Sequence, residues 1–226
     1  MSKSEPFRSH KMTVEKTAHF YTIGQAGPHI EYLWITCHGY GQMASSLIRK
    51  FSDLDDGKTL IVAPDGLSRF YWPGLGGVPA TSWMTRADRL DEIADYTRYL
   101  RQLYDQCMAN VPAHTKVILF GFSQGCATQI RWMMREKPNY HALVLWAGLL
   151  PDDLDYRPHE AYFGQRPFYW LYGDQDEFVI PKRIEWHQQF AEKMQLKFDT
   201  IIFPGKHEVN REVLKNLYER IKRESA

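Results

Sequence analysis

The chain has 226 residues, of which 44% are hydrophobic and 24% are charged, so it can bury the core of one large α/β domain or of two small ones. Its formal net charge is +1, and nothing in this balance points to nucleic acid or to an anionic membrane surface as a partner. No apolar run approaches the roughly 18 residues of a membrane span. We therefore expect neither a nucleic acid partner nor a membrane-spanning segment.

The three cysteines, Cys37, Cys107 and Cys126, have no metal-ligand spacing, and their odd number argues against a disulfide framework. Reduced and mostly buried thiols of a cytoplasmic protein are expected. The start of the chain, residues 1–11, is polar and lacks the apolar core of a signal peptide. We predict a flexible tail there and a single domain over residues 1–226.

Stretches of β-formers alternate with helical patterns along the chain. Strands are predicted at residues 13–23, 30–37, 60–63, 115–120, 142–147, 168–172 and 198–203. Helices are predicted at residues 44–51, 87–107, from 126 to about 137, 181–195 and 210–222. Thr85 and Asp88 form a possible capping box before the second helix. This alternation is typical of a parallel sheet covered by helices on both faces.

Two segments have no periodicity, residues 66–85 and 151–165. The first is rich in glycine, proline and aromatic residues and is predicted to be a long loop, and loops of this length are usually functional. The polar motifs of the chain directly follow predicted strands. They are therefore expected at the carboxyl edge of the sheet, where chemistry gathers in such proteins.

The sequence Gly-Phe-Ser-Gln-Gly follows a run of β-formers and precedes helix-tolerant residues. It predicts a sharp strand-to-helix turn with Ser123 at its apex. In such a turn the residues two before and two after the serine nearly touch, and Gly121 and Gly125 remove the β-carbons that would collide. The turn would expose the serine hydroxyl and direct the Gln124 N–H into the same space. An ordinary glycine-rich turn is the alternative.

A serine hydroxyl is a poor nucleophile unless a base takes its proton and an acid orients that base. Of nine histidines, only His38 and His207 lie in turns directly after predicted strands. His38 belongs to a tight glycine turn and is expected to shape that loop. His187 lies in the middle of a predicted helix, where a surface position is expected. His207 follows the last strand and is predicted to be the base.

Two aspartates after the 168–172 strand compete for the role of the acid. Asp174 follows the strand directly and is the better turn former, because its carboxylate can accept backbone N–H groups downstream. Asp176 lies two residues further on, where it could reach a histidine on the neighbouring loop. The residues favour Asp176 and leave Asp174 as the alternative.

A tetrahedral oxyanion needs two preorganised N–H donors. Gln124 supplies one. The turn His-Gly-Tyr-Gly at residues 38–41 is placed to supply the other from Tyr40, because the glycines on both sides let that backbone approach the site. This turn is weak evidence alone and strong evidence beside a serine motif, an aspartate and a histidine in this chain order.

With these motifs the chain resembles the α/β-hydrolases of the phospholipase/carboxylesterase family, which includes acyl-protein thioesterases, from Trp34 to about Val209. Four motifs carry the resemblance: His-Gly-Tyr-Gly at 38–41, Gly-Phe-Ser-Gln-Gly at 121–125, Gly-Asp-Gln-Asp-Glu-Phe-Val-Ile-Pro at 173–181 and Pro-Gly-Lys-His at 204–207. The third resembles the family pattern Gly-Asp-X-Asp-X-X-Val-Pro with Ile180 as one extra residue. The resemblance implies Asp176 as the acid, and Tyr40 and Gln124 as the oxyanion donors.

The chain departs from the family pattern at two places. Gln42 stands where an acid often follows the first glycine motif, and residues 64–86 do not match the usual proline- and asparagine-rich segment. In relatives these regions line the acyl and leaving-group pockets, so the resemblance does not specify the substrate.

Aromatic and other apolar residues are predicted to line a cleft beside the site, or alternatively to pack the loops onto the domain. They are Phe70, Tyr71, Trp72, Leu75, Trp83 and Met84 in one segment and Tyr156, Tyr162 and Phe163 in another. The residues proposed to bind substrate are Trp72, Trp83, Met84 and Phe178. Only Arg69 and Arg86 bring positive charge to the first segment, so no phosphate clamp is expected.

The resemblance implies a serine hydrolase of carboxylic esters or thioesters, with Ser123 as nucleophile and neither cofactor nor metal. A small serine peptidase, an acyltransferase and a non-catalytic ligand receptor on the same fold are alternatives. An intact triad argues against the receptor, which would need none of it. No separate cap domain fits the chain length, so an open cleft with a preference for short to medium acyl chains is predicted. The oligomeric state is not specified by the sequence.

Overall fold

The computed structural model describes residues 7–225, which contain a large sheet and a small hairpin. The strands are β1 (Phe20–Ile23), β2 (Tyr32–Cys37), β3 (Thr59–Pro64), β4 (Ser68–Trp72), β5 (Val78–Ser82), β6 (Lys116–Phe122), β7 (Ala142–Trp146), β8 (Phe168–Gly173) and β9 (Asp199–Phe203). The large sheet has the order β1-β3-β2-β6-β7-β8-β9, and β4 pairs with β5 separately. The tail predicted over residues 1–11 lies in part outside the described residues.

All neighbouring strands of the large sheet are parallel except β1 and β3. The central strand β6 pairs with β2 on one side and with β7 on the other. Because parallel strands end at the same edge, the loops after β2, β6, β8 and β9 meet there. The predicted α/β fold with a mostly parallel central sheet is confirmed.

The large sheet is covered by helices on both faces. The helices are α1 (Ala44–Ile48), α2 (Arg89–Met108), α3 (Gln124–Glu136), α4 (Glu160–Gly164), α5 (Pro181–Lys193) and α6 (Arg211–Glu224). One hydrophobic cluster joins the sheet to α2, α3 and α5, and a second joins it to α1 and α6. Alternate residues of β2 enter the two clusters, for example Leu33 and Trp34. Burial on both faces explains why the strands have continuous apolar sequences.

The ends of the helices follow local rules with one exception. Helix α3 ends at Glu136 with Lys137 as its C-cap, close to the predicted end, because Pro138 cannot continue it. Asn210 caps α6 by accepting the Val213 N–H at 3.1 Å. The predicted capping box before α2 is wrong. Asp88 has a left-handed backbone there and makes no side-chain cap.

The largest departure from the predicted elements lies in residues 66–85, where a β-hairpin replaces the expected unstructured loop. Strands β4 and β5 pair from Ser68 with Ser82 to Trp72 with Val78. Most of β4 is exposed or half-buried, so no alternating pattern marks it in the sequence. The strand predicted over 13–23 is also wrong in length, since only β1 forms there.

The expected burial of the cysteines is confirmed, because Cys37, Cys107 and Cys126 are buried, and all three are free thiols. Within residues 7–225, none of the helices is both long enough and apolar enough to cross a bilayer.

Candidate active site

The turn between β6 and α3 has the sharp geometry that its glycines predict. Ser123 has φ 53° and ψ −115°, a conformation that residues with a side chain rarely adopt. A β-carbon on Gly121 would lie 2.4 Å from the Gly125 carbonyl oxygen, and one on Gly125 would lie 2.0 Å from the Cys37 carbonyl oxygen. Neither position accepts a side chain, so both glycines are required for the serine to stand at the apex.

Ser123 and His207 meet at this edge of the sheet although 84 residues separate them. The serine Oγ lies 3.0 Å from the histidine Nε2. The other ring nitrogen, Nδ1, lies 2.8 Å from Asp176 Oδ2. A carboxylate accepts and cannot donate, so Nδ1 carries a proton, and in the neutral ring Nε2 presents its lone pair to the serine hydroxyl.

The Asp176 carboxylate is buried and fully bonded. Its Oδ1 accepts the Phe178 N–H at 2.8 Å and the Val179 N–H at 3.1 Å, while Oδ2 faces His207. These fixed donors hold the carboxylate in one orientation. The imidazole is therefore held between a rigid acceptor and the serine.

Asp174 has a different set of contacts. Its Oδ1 accepts the Gly205 N–H at 3.1 Å, so it ties the loop after β8 to the loop after β9. The two loops touch closely, because a β-carbon on Gly173 would lie 2.2 Å from the Gly205 carbonyl oxygen. Of the two aspartates, only Asp176 contacts the histidine side chain.

His38 has structural contacts only. Its Nδ1 lies 2.7 Å from the Gly39 carbonyl oxygen, and its Nε2 accepts the Gly66 N–H at 2.9 Å. The ring is buried and stacks on Trp83 with 5.0 Å between ring centroids. Burial lowers the pKa of His38 to about 4, so the ring is neutral near pH 7. The structure agrees with the expectation that His38 shapes its loop.

The turn after β2 approaches the serine directly. A β-carbon on Gly39 would lie 3.2 Å from the Ser123 Cβ, which shows how closely the two backbones pass. The next N–H belongs to Tyr40, and Gln124 supplies the first N–H of α3. Neither group donates to an acceptor within residues 7–225. Two unpaired donors thus flank the serine.

Two phenylalanines enclose the histidine ring. Phe122 lies 5.0 Å and Phe178 lies 4.7 Å from His207 between ring centroids. Phe178 is 52% exposed, whereas the His207 side chain is 16% exposed. The rings restrict water around the imidazole and leave its Nε2 open towards the serine.

The other residues predicted to bind substrate separate into two environments. Trp72 is 48% exposed and lies in an aromatic cluster with Tyr40 and Phe70. Trp83 is 1% exposed, and its indole N–H donates to the His38 carbonyl oxygen at 3.0 Å. The prediction that Trp83 lines the cleft is therefore wrong, because its ring is part of the core.

Met84 is half-buried against the same core cluster as Trp83, and its carbonyl oxygen accepts the Gln124 side-chain amide at 2.8 Å. In the 151–165 segment, Tyr156 and Phe163 are buried, so they pack the loop onto the domain. Arg69 pairs with the buried Asp65 at 3.3 Å.

His187 differs from its expected surface position, since it is fully buried in α5. Its ring packs against Trp170 and Phe198, and its Nε2 accepts the Leu150 N–H at 3.1 Å. Burial lowers its pKa to about 4. A helical pattern alone could not reveal this burial, because both aromatic neighbours lie on other elements.

The cysteine nearest to Ser123 in the chain is Cys126, in the first turn of α3. The Cys126 thiol is buried one turn into α3, and burial raises its pKa so that it stays protonated. In the described part of the chain, no three histidine, cysteine, aspartate or glutamate side chains are grouped to hold a metal ion.

Sequence reasoning missed two residues near the site. Thr81 at the end of β5 bonds to the turn after β2, and the Gln42 side chain accepts the Gly39 N–H at 3.1 Å. In the sequence Gln42 stands out only as a departure from the family pattern, which does not indicate its contact with Gly39. Thr81 has no local signal, because its partners are about forty residues away in the chain.

Solved structures of similar fold include esterases and thioesterases. Acyl-protein thioesterase 2 of Zea mays has a TM-score of 0.69 at 16% identity, over 91% of this chain and 98% of that one. Esterase PE8 has a TM-score of 0.68 at 20% identity, over 92% and 99%. A phospholipase/carboxylesterase from Dyadobacter fermentans has a TM-score of 0.61 at 18% identity, over 92% and 98%. At these identities the likeness shows the α/β-hydrolase fold.

Among curated proteins, none matches this sequence significantly. The family model of the phospholipases and carboxylesterases matches residues 18–225, which is almost the whole chain. That match covers all four motifs described above. The chain therefore belongs to the phospholipase/carboxylesterase family and is a hydrolase with the α/β-hydrolase fold.

Proposed function

We propose that the protein is a serine hydrolase that cleaves carboxylic esters or thioesters through an acyl-enzyme on Ser123. The observation that carries this proposal is the continuous hydrogen-bonded series of serine, His207 and Asp176, with separations of 3.0 Å and 2.8 Å. A folded domain gains nothing obvious from a serine held in a strained conformation, so the strain supports a chemical role.

In the proposed reaction the Ser123 Oγ attacks the carbonyl carbon while His207 Nε2 accepts the hydroxyl proton. The imidazolium that results is stabilised by the Asp176 carboxylate. The tetrahedral intermediate then expels the alcohol or thiol, which takes the proton from Nε2. Water repeats the sequence on the acyl-enzyme and releases the carboxylic acid, which restores the serine hydroxyl and the neutral histidine.

The developing oxyanion is held by the N–H groups of Tyr40 and Gln124. Gln124 is the first residue of α3, so its N–H has no intrahelical acceptor and lies at the positive end of the helix. The Tyr40 N–H comes from the neighbouring turn, whose backbone nearly touches Ser123. Removal of one such donor costs about 10²- to 10³-fold in kcat in the cases studied.

The acyl or leaving group is proposed to lie on the apolar surface beside the triad. Tyr40, Phe70 and Trp72 contact one another there, and Phe178 borders the histidine on the other side. Arg69, the cation of the β4–β5 hairpin, already pairs with Asp65, so an anionic leaving group has no free partner on the hairpin. The substrate class that this surface suits best is a neutral, apolar ester or thioester of small molecular size.

The experiment that tests the proposal is turnover of p-nitrophenyl butyrate by wild-type protein and by Ser123→Ala. Loss of a triad serine costs on the order of 10⁶-fold in kcat in subtilisin. We expect a loss of that size with an unchanged melting temperature. Retention of more than about a tenth of the activity would show that Ser123 is not the nucleophile.

A further inference from the structure

In the turn formed by residues 39–42, called the oxyanion turn below, the N–H groups on both sides of Tyr40 are bonded. The Gly39 N–H donates to Gln42 Oε1 at 3.1 Å, and the Gly41 N–H donates to the Thr81 carbonyl oxygen at 3.1 Å. Between them, the Tyr40 N–H meets no acceptor within the described residues. Because both neighbouring peptides are held, the direction of the Tyr40 N–H is fixed by groups outside Tyr40 itself.

Thr81 contacts the oxyanion turn through all of its polar groups. Its N–H lies 3.3 Å from the Gln42 carbonyl oxygen, and its carbonyl accepts the Gly41 N–H. Its Oγ1 lies 2.9 Å from that same Gln42 oxygen and 2.9 Å from His38 Nε2. Thr81 is buried, so no solvent competes for these bonds.

The protons of this network can be assigned from their partners. The Gly66 N–H donates to His38 Nε2, so that nitrogen is unprotonated. The proton is therefore on Nδ1, which donates to the Gly39 carbonyl oxygen at 2.7 Å. Both neighbours of the Thr81 hydroxyl are then acceptors, and its single proton is shared between the Gln42 oxygen and Nε2. With these assignments every hydrogen in the network points at an acceptor atom, and no two hydrogens face each other.

The residues after Thr81 hold the second oxyanion donor. Gln124 Oε1 accepts the Trp83 N–H at 3.1 Å and the Ser82 hydroxyl at 3.3 Å, while its Nε2 donates to Met84. The segment 81–84 thus contacts the oxyanion turn with its first residue and the Gln124 side chain with the next three. A single segment therefore contacts both the oxyanion turn and the side chain of Gln124, the residue that supplies the second donor.

We propose that Thr81 and Gln42 are positioning residues that hold the Tyr40 N–H in its oxyanion-binding direction, an inference that rests on the proposed function. The oxyanion turn has glycine on both sides of Tyr40, and glycine permits backbone rotations that other residues resist. The Thr81 hydroxyl and the Gln42 side-chain amide supply the restraint that the glycines lack. Neither side chain contacts the reacting atoms.

The test removes each side-chain bond and keeps the backbone bonds. Thr81→Val deletes the hydroxyl and retains the shape, and Gln42→Leu deletes the acceptor for Gly39. With p-nitrophenyl butyrate, we expect kcat to fall about tenfold or more, which is part of the 10²- to 10³-fold effect of losing a whole donor. KM should stay within about twofold, because the restraint acts on the transition state.

A second readout is specific to the oxyanion. A trifluoromethyl ketone forms a hemiketal with the serine, and its oxyanion occupies the position that the two N–H donors face. We expect its inhibition constant to rise in parallel with the fall in kcat in both variants. A role in folding alone would lower the melting temperature without this parallel change.

Matched variants control for the loss of a buried group. Thr81→Ser and Gln42→Glu each keep the relevant oxygen and should retain most of the wild-type kcat. Thr115→Val removes another buried hydroxyl, which donates to the Ile30 carbonyl oxygen at 3.0 Å at the opposite edge of the sheet. It should lower stability without changing kcat.

Wild-type kcat in both Thr81→Val and Gln42→Leu, with Ser123→Ala inactive, overturns this inference and leaves the proposed function intact. Equal losses in Thr81→Val and Thr115→Val also overturn it. Activity in Ser123→Ala overturns the proposed function instead. If Thr81→Val fails to fold, the test rests on Gln42, which is half-buried. The inference then requires a lower kcat in Gln42→Leu than in Gln42→Glu, and equal kcat values in these two variants overturn it.

Discussion

Two histidines lie at the same edge of the sheet and have opposite surroundings. His38, after β2, is fully buried and bonds to the Gly39 carbonyl, the Gly66 N–H and the Thr81 hydroxyl. His207, after β9, bonds to a carboxylate on one ring nitrogen and to a serine hydroxyl on the other. Each ring bonds through both of its nitrogens, so residue type alone does not distinguish the two histidines.

The difference lies in what each ring could do with a second proton. Protonation of His38 Nε2 would place an N–H against the Gly66 N–H at a fully buried position. Protonation of His207 Nε2 would place the new charge beside the Asp176 carboxylate, which stabilises it. The surroundings therefore fit His38 for holding a backbone and His207 for carrying a proton.

The largest expected effect comes from exchanging these histidines for glutamine, one at a time. His207→Gln should lower kcat on the order of 10⁶-fold, as loss of the triad histidine does in subtilisin. The melting temperature should change little. His38→Gln should mainly lower the melting temperature, with a much smaller loss of kcat. A greater loss of kcat in the His38 variant would reverse the roles assigned to the two rings.

The next effect separates the two aspartates after β8. Asp176→Asn should reduce kcat about 10⁴-fold, because the histidine loses the partner that fixes its tautomer. Asp174→Asn should cost about 1 kcal/mol of unfolding free energy, since it weakens the bond that the Asp174 carboxylate accepts from the Gly205 N–H. Steady-state kinetics and urea denaturation of both variants measure these quantities. The opposite pattern would assign the acid to Asp174.

A smaller effect concerns stability in acid. Burial lowers the pKa of His38 and of His187 to about 4 from the usual 6.5. Between these two pH values the histidines of the unfolded chain bind protons and the buried rings do not. The contribution of the two rings to the unfolding free energy is therefore fully present above pH 6.5 and is lost as the pH drops towards 4. The loss at pH 4 amounts to about 3 kcal/mol for each ring.

Urea denaturation between pH 7 and pH 4 tests this dependence. His187→Gln keeps an acceptor for the Leu150 N–H and removes the titrating ring, so stability should decline less steeply with acid than in the wild-type protein. An identical decline in the variant would show that His187 is not buried in its neutral form.

The smallest effect is on acyl-chain preference. Trp72 is half-exposed on the hairpin, and each buried CH₂ of an acyl chain contributes about 0.8 kcal/mol. For p-nitrophenyl esters we expect kcat/KM to rise over short chains, peak at short to medium length and fall for long chains. Trp72→Ala should shift that peak and leave acetate hydrolysis nearly unchanged. The buried Trp83→Ala is the control, which should lower stability and leave the peak in place.

The parts of the site that the sequence predicted are those specified by local constraints. The turn at Ser123 spans five residues, and its geometry requires glycine at both ends. The positions of Asp176 and His207 follow from strands that end at a common edge of the sheet. The contacts of Thr81, His187 and Trp83 depend instead on side chains from other elements. The β4–β5 hairpin also has no local signal, because β4 is exposed or half-buried and β5 is exposed at one end and buried at the other, so neither strand has a regular alternation.

The most direct test of the central claim is to locate the covalent intermediate. The protein is treated with a fluorophosphonate, digested and analysed by peptide mass spectrometry, with His207→Gln and Asp174→Asn treated in parallel. We expect one adduct, on Ser123, at full occupancy in the wild-type protein and in Asp174→Asn, and almost none in His207→Gln. An adduct on any other residue, or ester turnover by a protein that takes up no adduct, would contradict the proposed mechanism.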